Sequence, residues 1–232
     1  MTKLTEVLFN IACSDTNYNL MIKVNSFQFN PFQENTYLVH DETREAVIID
    51  AGCYDKEERE ELVSFIEINN LNVVKLINTH SHVDHVLGCN FVKEYYKVQL
   101  GIHKLDEPTL RSVKVYAPSY GFVHYEEAQA DYFFEEGEKI TFGNSELDIL
   151  FVPGHAPGHV AFVSKEQKIC LSGDVLFYRS IGRTDLPGGD FDTLIKSIRN
   201  KIFPLGNDMV VYPGHGASTT VGDEIKNNPF LK

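Results

Sequence analysis

Three histidines and an aspartate fall within six residues, His80-Ser81-His82-Val83-Asp84-His85, directly after the apolar run 73–77. Imidazole and carboxylate are the donors that hold a zinc-type cation at roughly 2.0–2.2 Å. Side chains two apart at a strand end project to the same side, so His80 and His82 can share one ion. Asp84 and His85 follow where a helix should start, and the turning chain can aim both at a neighbouring position beside the first. Packing offers no common reason for such density. Three more donors stand singly in similar settings: His155 in Pro153-Gly154-His155, Asp174 in Ser172-Gly173-Asp174 and His215 in Pro213-Gly214-His215-Gly216. Each follows an apolar run and a glycine, a residue that lets the backbone pass close to an ion or bend without a side-chain clash. A lone Gly-His or Gly-Asp is ordinarily a turn with a hydrogen-bonded side chain. Together, however, the seven donors describe a dinuclear site, with three histidines on one ion, an aspartate and two histidines on the other, and one carboxylate such as Asp174 shared between them.

Two cations about 3.5–4 Å apart can lower the pKa of a shared water towards neutrality and so supply hydroxide as a nucleophile at pH 7. Attack on a thioester carbonyl would build an oxyanion beside one cation while the other holds the departing thiolate. Asp84 could orient that nucleophile or relay its proton. The expected cofactors are therefore two divalent metal ions, zinc first, with iron or manganese as alternatives. The expected reaction is metal-assisted hydrolysis of an acyl bond in a small molecule. His40, His103, His124 and His159 lack such company, and His159 reads as a supporting residue rather than a ligand.

The elements that must position these donors read as mixed α and β. Segments 21–29, 36–39, 46–50 and 73–78 are rich in β-branched and aromatic residues and closed by turn formers, which predicts strands. Segment 55–68 predicts a helix, with Leu62, Phe65 and Ile66 on one face, and a second helix is expected over about 84–96. The later half repeats the pattern with strands at 139–142, 146–152, 160–163 and 168–172. A helix then carries Leu194, Ile195, Ile198 and Ile202, and a last strand runs over 209–212. Strands apolar on consecutive positions, facing helices in each half, suggest two packed sheets covered by helices on their outer faces.

The length of 232 residues suits one domain, expected over 21–232, with residues 1–20 as a dispensable, possibly disordered extension because the strand pattern begins at Met21. Lys and Arg number 21 against 33 Asp and Glu, a net charge of −12. That balance argues against a general nucleic-acid or anionic-membrane binder. No apolar run approaches the ~20 residues that span a bilayer. The four cysteines form no C-x-x-C pair and read as reduced, packed thiols of a cytoplasmic protein.

Thr79-His80-Ser81-His82-Val83-Asp84-His85, followed at long spacing by Gly154-His155, Gly173-Asp174 and Gly214-His215, resembles the metallo-β-lactamase superfamily over about 21–230. Within it, Gly173-Asp174-Val175-Leu176-Phe177, Ile181-Gly182-Arg183-Thr184-Asp185 and Pro213-Gly214-His215-Gly216 resemble the glyoxalase II-like hydroxyacylglutathione hydrolases, especially their short single-domain relatives. The resemblance implies an α/β fold, a four-layer αββα sandwich with the metals at one edge of the two sheets. It assigns His80, His82 and His155 to the first ion, Asp84, His85 and His215 to the second, and Asp174 to the bridge. It also implies a small-molecule thioester as substrate. Full-length glyoxalase II enzymes supply basic residues to glutathione from a helical C-terminal domain. Here seventeen residues follow His215, which leaves the thiol carrier open. Two other readings stand beside the hydrolase. A mononuclear-iron persulfide dioxygenase shares the His-x-His-x-Asp-His run and the Gly-Arg-Thr-Asp loop, although Pro213-Gly214-His215-Gly216 resembles the hydrolases; the other is a non-catalytic metal-binding protein of the same fold.

Substrate contacts are expected from three residues. Arg183 is either a basic contact or an anchor of its own loop through Asp185 or Asp190. Tyr120 and Phe122 lie in segment 111–132, a connector long and aromatic enough to act as a lid over the metal edge.

Overall fold

The computed structural model describes residues 21–232; the extension expected over 1–20 lies outside the described residues. Six strands form the first sheet in the order β1 (Lys23–Phe29), β2 (Glu34–His40), β3 (Glu45–Ile49), β4 (Asn72–Ile77), β5 (Leu100–His103) and β6 (Tyr132–Phe134). Pairing is antiparallel from β1 to β3 and parallel from β3 to β6, with helices in all three parallel crossovers. The first two hold α1 (Lys56–Ile68), between β3 and β4, and α2 (Val83–Val86) with α3 (Cys89–Tyr96), between β4 and β5. The third, between β5 and β6, holds α4 (Glu107–Tyr116).

The second sheet begins with β7 (Lys139–Phe142), β8 (Ser145–Phe151), β9 (Val160–Ser164) and β10 (Ile169–Gly173). A short hairpin of β11 (Leu176–Phe177) and β12 (Ser180–Ile181) follows, then helix α5 (Phe191–Ser197) and a π-helical turn over Ile198–Ile202. Strands β13 (Val210–Pro213) and β14 (Thr219–Thr220) and helix α6 (Val221–Asn227) complete the chain. The sheet order is β14-β13-β10-β9-β8-β7.

Alternate residues of single strands feed different cores, which is what stacks four layers. Val39, Val47, Ile49, Ile77, Phe162 and Leu171 meet between the sheets. Their neighbours Leu38, Ile48 and Leu76 pack with Leu62 and Ile66 of α1 and Val92 of α3. On the far side, Ala161, Val163 and Cys170 pack with Leu194 and Ile198. Both faces of the central strands are buried, so the αββα sandwich reads in the sequence as continuous apolar runs. Helix α1 begins one residue after its expected start because Asp55 is its N-cap. Its carboxylate accepts the Glu58 N–H at 2.9 Å, and the Glu58 side chain closes a capping box.

Two expectations change in the structure. The helix expected over 84–96 is two helices, interrupted at Leu87 and Gly88, where the Gly88 N–H donates to the Ala51 carbonyl at 2.7 Å and the Asp84 carbonyl accepts Asn30 Nδ2 at 3.0 Å instead of continuing the helix. The connector 111–132 is not a free lid: its first residues complete α4, and a 3-10 turn over Ala117–Tyr120 follows. Leu110, Val113 and Ala117 bury this segment in the first core. No helix among the described residues is long and apolar enough to cross a membrane.

Candidate metal centre

All seven expected donors converge on one edge of the sandwich. The loop after β4 presents His80 and His82, and helix α2 presents Asp84 and His85. The loop before β9 presents His155, the residue after β10 is Asp174, and that after β13–Gly214 is His215. The nitrogens of His80, His82 and His155 lie within 4.8 Å of one another, as do the donor atoms of Asp84, His85 and His215. Asp174 stands between the groups. One of its oxygens is 3.5 Å from His85 Nε2, and the other is 3.5 Å from both His155 Nε2 and His215 Nε2.

Backbone carbonyls and a carboxylate aim the rings. His155 Nδ1 donates to the Arg183 carbonyl at 2.7 Å and His215 Nδ1 donates to the Phe32 carbonyl at 3.1 Å, so each Nε2 is turned inward. His85 Nδ1 donates to Asp50 Oδ2 at 3.2 Å, and the same carboxylate accepts the Thr79 N–H and hydroxyl, both at 2.6 Å. Asp50 is a non-glycine residue held at φ 55°, a backbone strain that these bonds repay at the site. Space is equally constrained: a Cβ on Gly214 would collide with Asp174 Oδ1 and press on His85.

The donor set fits a pair of cations. His80 Nε2, His85 Nε2 and Asp174 Oδ1 are buried without a hydrogen-bond partner, which is costly for groups that nothing else will satisfy. The two groups differ electrostatically. Burial, reinforced by neighbouring histidines, drives His80 well below the ordinary imidazole value and His82 down to about 3. Burial also opposes a charged His85 and His215. At His85 the Asp84 and Asp174 carboxylates outweigh it, at His215 the Asp84 hydrogen bond and Asp174 do, and both imidazoles are raised. Asp174 is held far below the carboxylate range, since His85, His155 and His215 overcome its burial.

A ligand imidazole must be neutral. Groups with raised pKa values keep their protons to higher pH, so protons compete for His85 and His215 first, while His80 and His82 stay available. With an ion in each group, lowering the pH from 8 to 5 should therefore empty the Asp84–His85–His215 group before its neighbour. Elemental analysis after buffer exchange at each pH should pass through a plateau of one ion per chain.

Of the expected substrate contacts, Tyr120 and Arg183 line a cavity of about 1040 Å³ that opens on the metal edge, together with His82, Asp84, His155, Asp174 and His215. Phe122 does not reach it. It is only 2% exposed and sits under Phe32 and Tyr54 at ring distances of 5.7 and 5.0 Å, so its expected role as a substrate contact is corrected to a core role. Arg183 faces the cavity with its guanidinium engaged by Asp185 at 2.7 and 2.8 Å. His159, expected as support, stacks on His80 and accepts the Asp174 N–H at 3.0 Å. Sequence reasoning missed Asp50 and the fully buried Glu34, whose Oε1 lies 3.8 Å from His85 Nδ1. Single acids after a strand or at its start carry no spacing signal, although Asp50 shares the strand-then-carboxylate placement of Asp174.

Residues 29–215 match the model of the Metallo-beta-lactamase superfamily. The chain is 40% identical over 202 residues to hydroxyacylglutathione hydrolase GloC of Haemophilus influenzae, covering 86% of this chain and 93% of the relative. Among solved structures it is similar to TTHA1623 in a di-iron-bound form, at a TM-score of 0.81 and 35% identity, covering 90% of this chain and all of that one. It is also similar to the BLEG-1 B3 metallo-beta-lactamase, at a TM-score of 0.79 and 32% identity, covering 91% of this chain and all of that one.

Proposed function

Because the chain belongs to the metallo-beta-lactamase superfamily, as a metal-dependent hydrolase, we propose that it hydrolyses small-molecule thioesters in the manner of the glyoxalase II-like enzymes. The observation that carries the dinuclear reading is the Asp174 carboxylate, set 3.5 Å from nitrogens of both donor groups. The name of the GloC relative supports the thioester. A bound pair of divalent ions supplies Lewis acidity and ionises water near neutral pH. Zinc is our choice, and the di-iron form of the TTHA1623 relative supports iron as the alternative.

The chain's own residues do the rest. The seven donors hold the ions, and Asp50 and the two backbone carbonyls fix the ring orientations of His85, His155 and His215. Asp84 reaches the cavity floor with Oδ2 at 3.1 Å from His215 Nε2, where a carboxylate can orient a water or take its proton. The walls include Tyr116, Tyr120, Phe177, Ile181 and Leu186. These apolar surfaces suit an acyl group, and the only Arg or Lys lining them among the described residues, Arg183, is already paired.

Tyr120 is half exposed at the rim, against Phe32. Tyr120→Ala should change the relative kcat/KM among acyl thioesters of different length and leave metal content intact, because aromatic contacts discriminate substrates without touching the donors. Equal losses for every acyl group would show that the residue only supports the wall.

The proposal is tested by assaying thioesters alongside a persulfide in an oxygen electrode. Thioester turnover that a chelator abolishes, without oxygen uptake, is expected. Stoichiometric oxygen uptake with glutathione persulfide and no thioester turnover would replace the hydrolase with the mononuclear-iron dioxygenase.

A further inference from the structure

Two glycines flank His215, and its side chain is the least buried of its donor group, 27% exposed against 14% for Asp84 and 0% for His85. Packing therefore places this donor less firmly than its neighbours, and glycine on both sides gives its backbone more conformational freedom. What ties the turn down comes from the other sheet. In β2, the Asn35 N–H donates to the Gly214 carbonyl at 2.7 Å. The Asn35 side-chain Nδ2 donates to the Pro213 carbonyl at 3.0 Å and to the Gly216 carbonyl at 2.9 Å, one on each side of His215. A carboxamide nitrogen carries two N–H donors, and both are spent on this one turn. The Pro213 carbonyl also accepts the Tyr37 hydroxyl at 2.7 Å. Among the described residues, the tie that Asn35 alone supplies is thus the one to Gly216, beyond the histidine. Asn35 is itself buried, next to the point where Glu34 forms a β-bridge with His215.

We propose that Asn35 is a positioning residue for the second metal site, holding the 213–216 turn of the second sheet against β2 of the first. The inference rests on the reading of Asp84, His85 and His215 as ligands of one ion, and not on the substrate. His215 Nε2 stands 3.1 Å from Asp84 Oδ2, which hangs from the first sheet, and 3.5 Å from Asp174 Oδ2, so slack in the turn changes the donor geometry directly. The Phe32 carbonyl, 3.1 Å from His215 Nδ1, sets the rotation of the ring, whereas Asn35 sets where the ring hangs. Neither side-chain hydrogen bond of Asn35 reaches the His80–His82 loop or the His155 loop, and the first group should be insensitive to it. Partners that orient metal ligands typically contribute about 10–100-fold to metal affinity, which sets the effect to look for.

The test is cobalt titration of the metal-free full-length protein, followed by visible absorption, with Asn35→Ala and Asn35→Leu. His82→Ala and His215→Ala backgrounds report the second and first groups separately. The expected result is a second-group affinity at least about tenfold weaker in Asn35→Ala with altered ligand-field bands, and an unchanged first group. Asn35→Leu keeps a branched side chain of similar shape without donors or charge, and it should weaken the second group as much. Parental affinity and spectrum in either variant, or equal weakening of both groups, would overturn the proposal, the first because filling the space would then suffice. Should Asn35→Ala fail to fold, Asn35→Leu decides on the same criterion: second-group weakening supports positioning, and unchanged or uniformly weakened binding overturns it. Absence of cobalt binding in the His82→Ala background with Asn35 intact would refute the ligand assignment itself.

Discussion

Asp174→Asn is expected to lower occupancy of both ions and to reduce thioester turnover by several orders of magnitude. The change preserves volume and removes the charge that faces three imidazoles at 3.5 Å, one in the first group and two in the second. An amide nitrogen cannot replace a carboxylate oxygen as a ligand, so each group is left with three donors and no bridge. The folded state should persist, since the carboxylate is expensive to bury and is held ionised only by its imidazole neighbours. Elemental analysis paired with a thermal melt checks this. One iron per chain in both the parent and the variant would end the dinuclear reading and the hydrolytic mechanism built on it.

Asp84→Ala should be nearly as severe by a different route. It removes the carboxylate that stands 3.1 Å from His215 Nε2 and 3.7 Å from His85 Nε2, and with it the second ion and the acid–base group on the cavity floor. The first group keeps His80, His82 and His155 and should retain its ion. The signature is thus one ion per chain with turnover lost by several orders of magnitude, against the loss of both ions in Asp174→Asn. A variant that keeps two ions and near-parental turnover would show that Asp84 neither binds metal nor handles the proton.

The donor cluster was legible because His80, His82, Asp84 and His85 are crowded into six residues, where spacing alone determines that they meet. His155, Asp174 and His215 were legible only as a repeated grammar of strand, glycine and donor. That grammar works because every strand concerned delivers its end to the same edge. Asp50 was not legible, since it acts through partners remote in sequence, Thr79 and His85. The sandwich could be read from strands such as β3 and β4, whose two faces feed different cores. Short β5 and β6 gave too few positions to show a period. Segment 111–132 reads as a connector, whereas α4 runs through its first residues to Tyr116 and a 3-10 turn follows over Ala117–Tyr120.

His80, His82, Asp84 and His85 hang from one sheet, and His155, Asp174 and His215 from the other, so a pair of ions here would also be a clasp across the mouth of the sandwich. An ion that binds only the closed edge adds RT ln(1 + [M]/Kd) to the stability of the fold, where [M] is the free metal concentration. Conformational stability and cofactor supply are then one thermodynamic quantity. A melting temperature measured for this chain belongs as much to the metal buffer it sits in as to its amino-acid sequence.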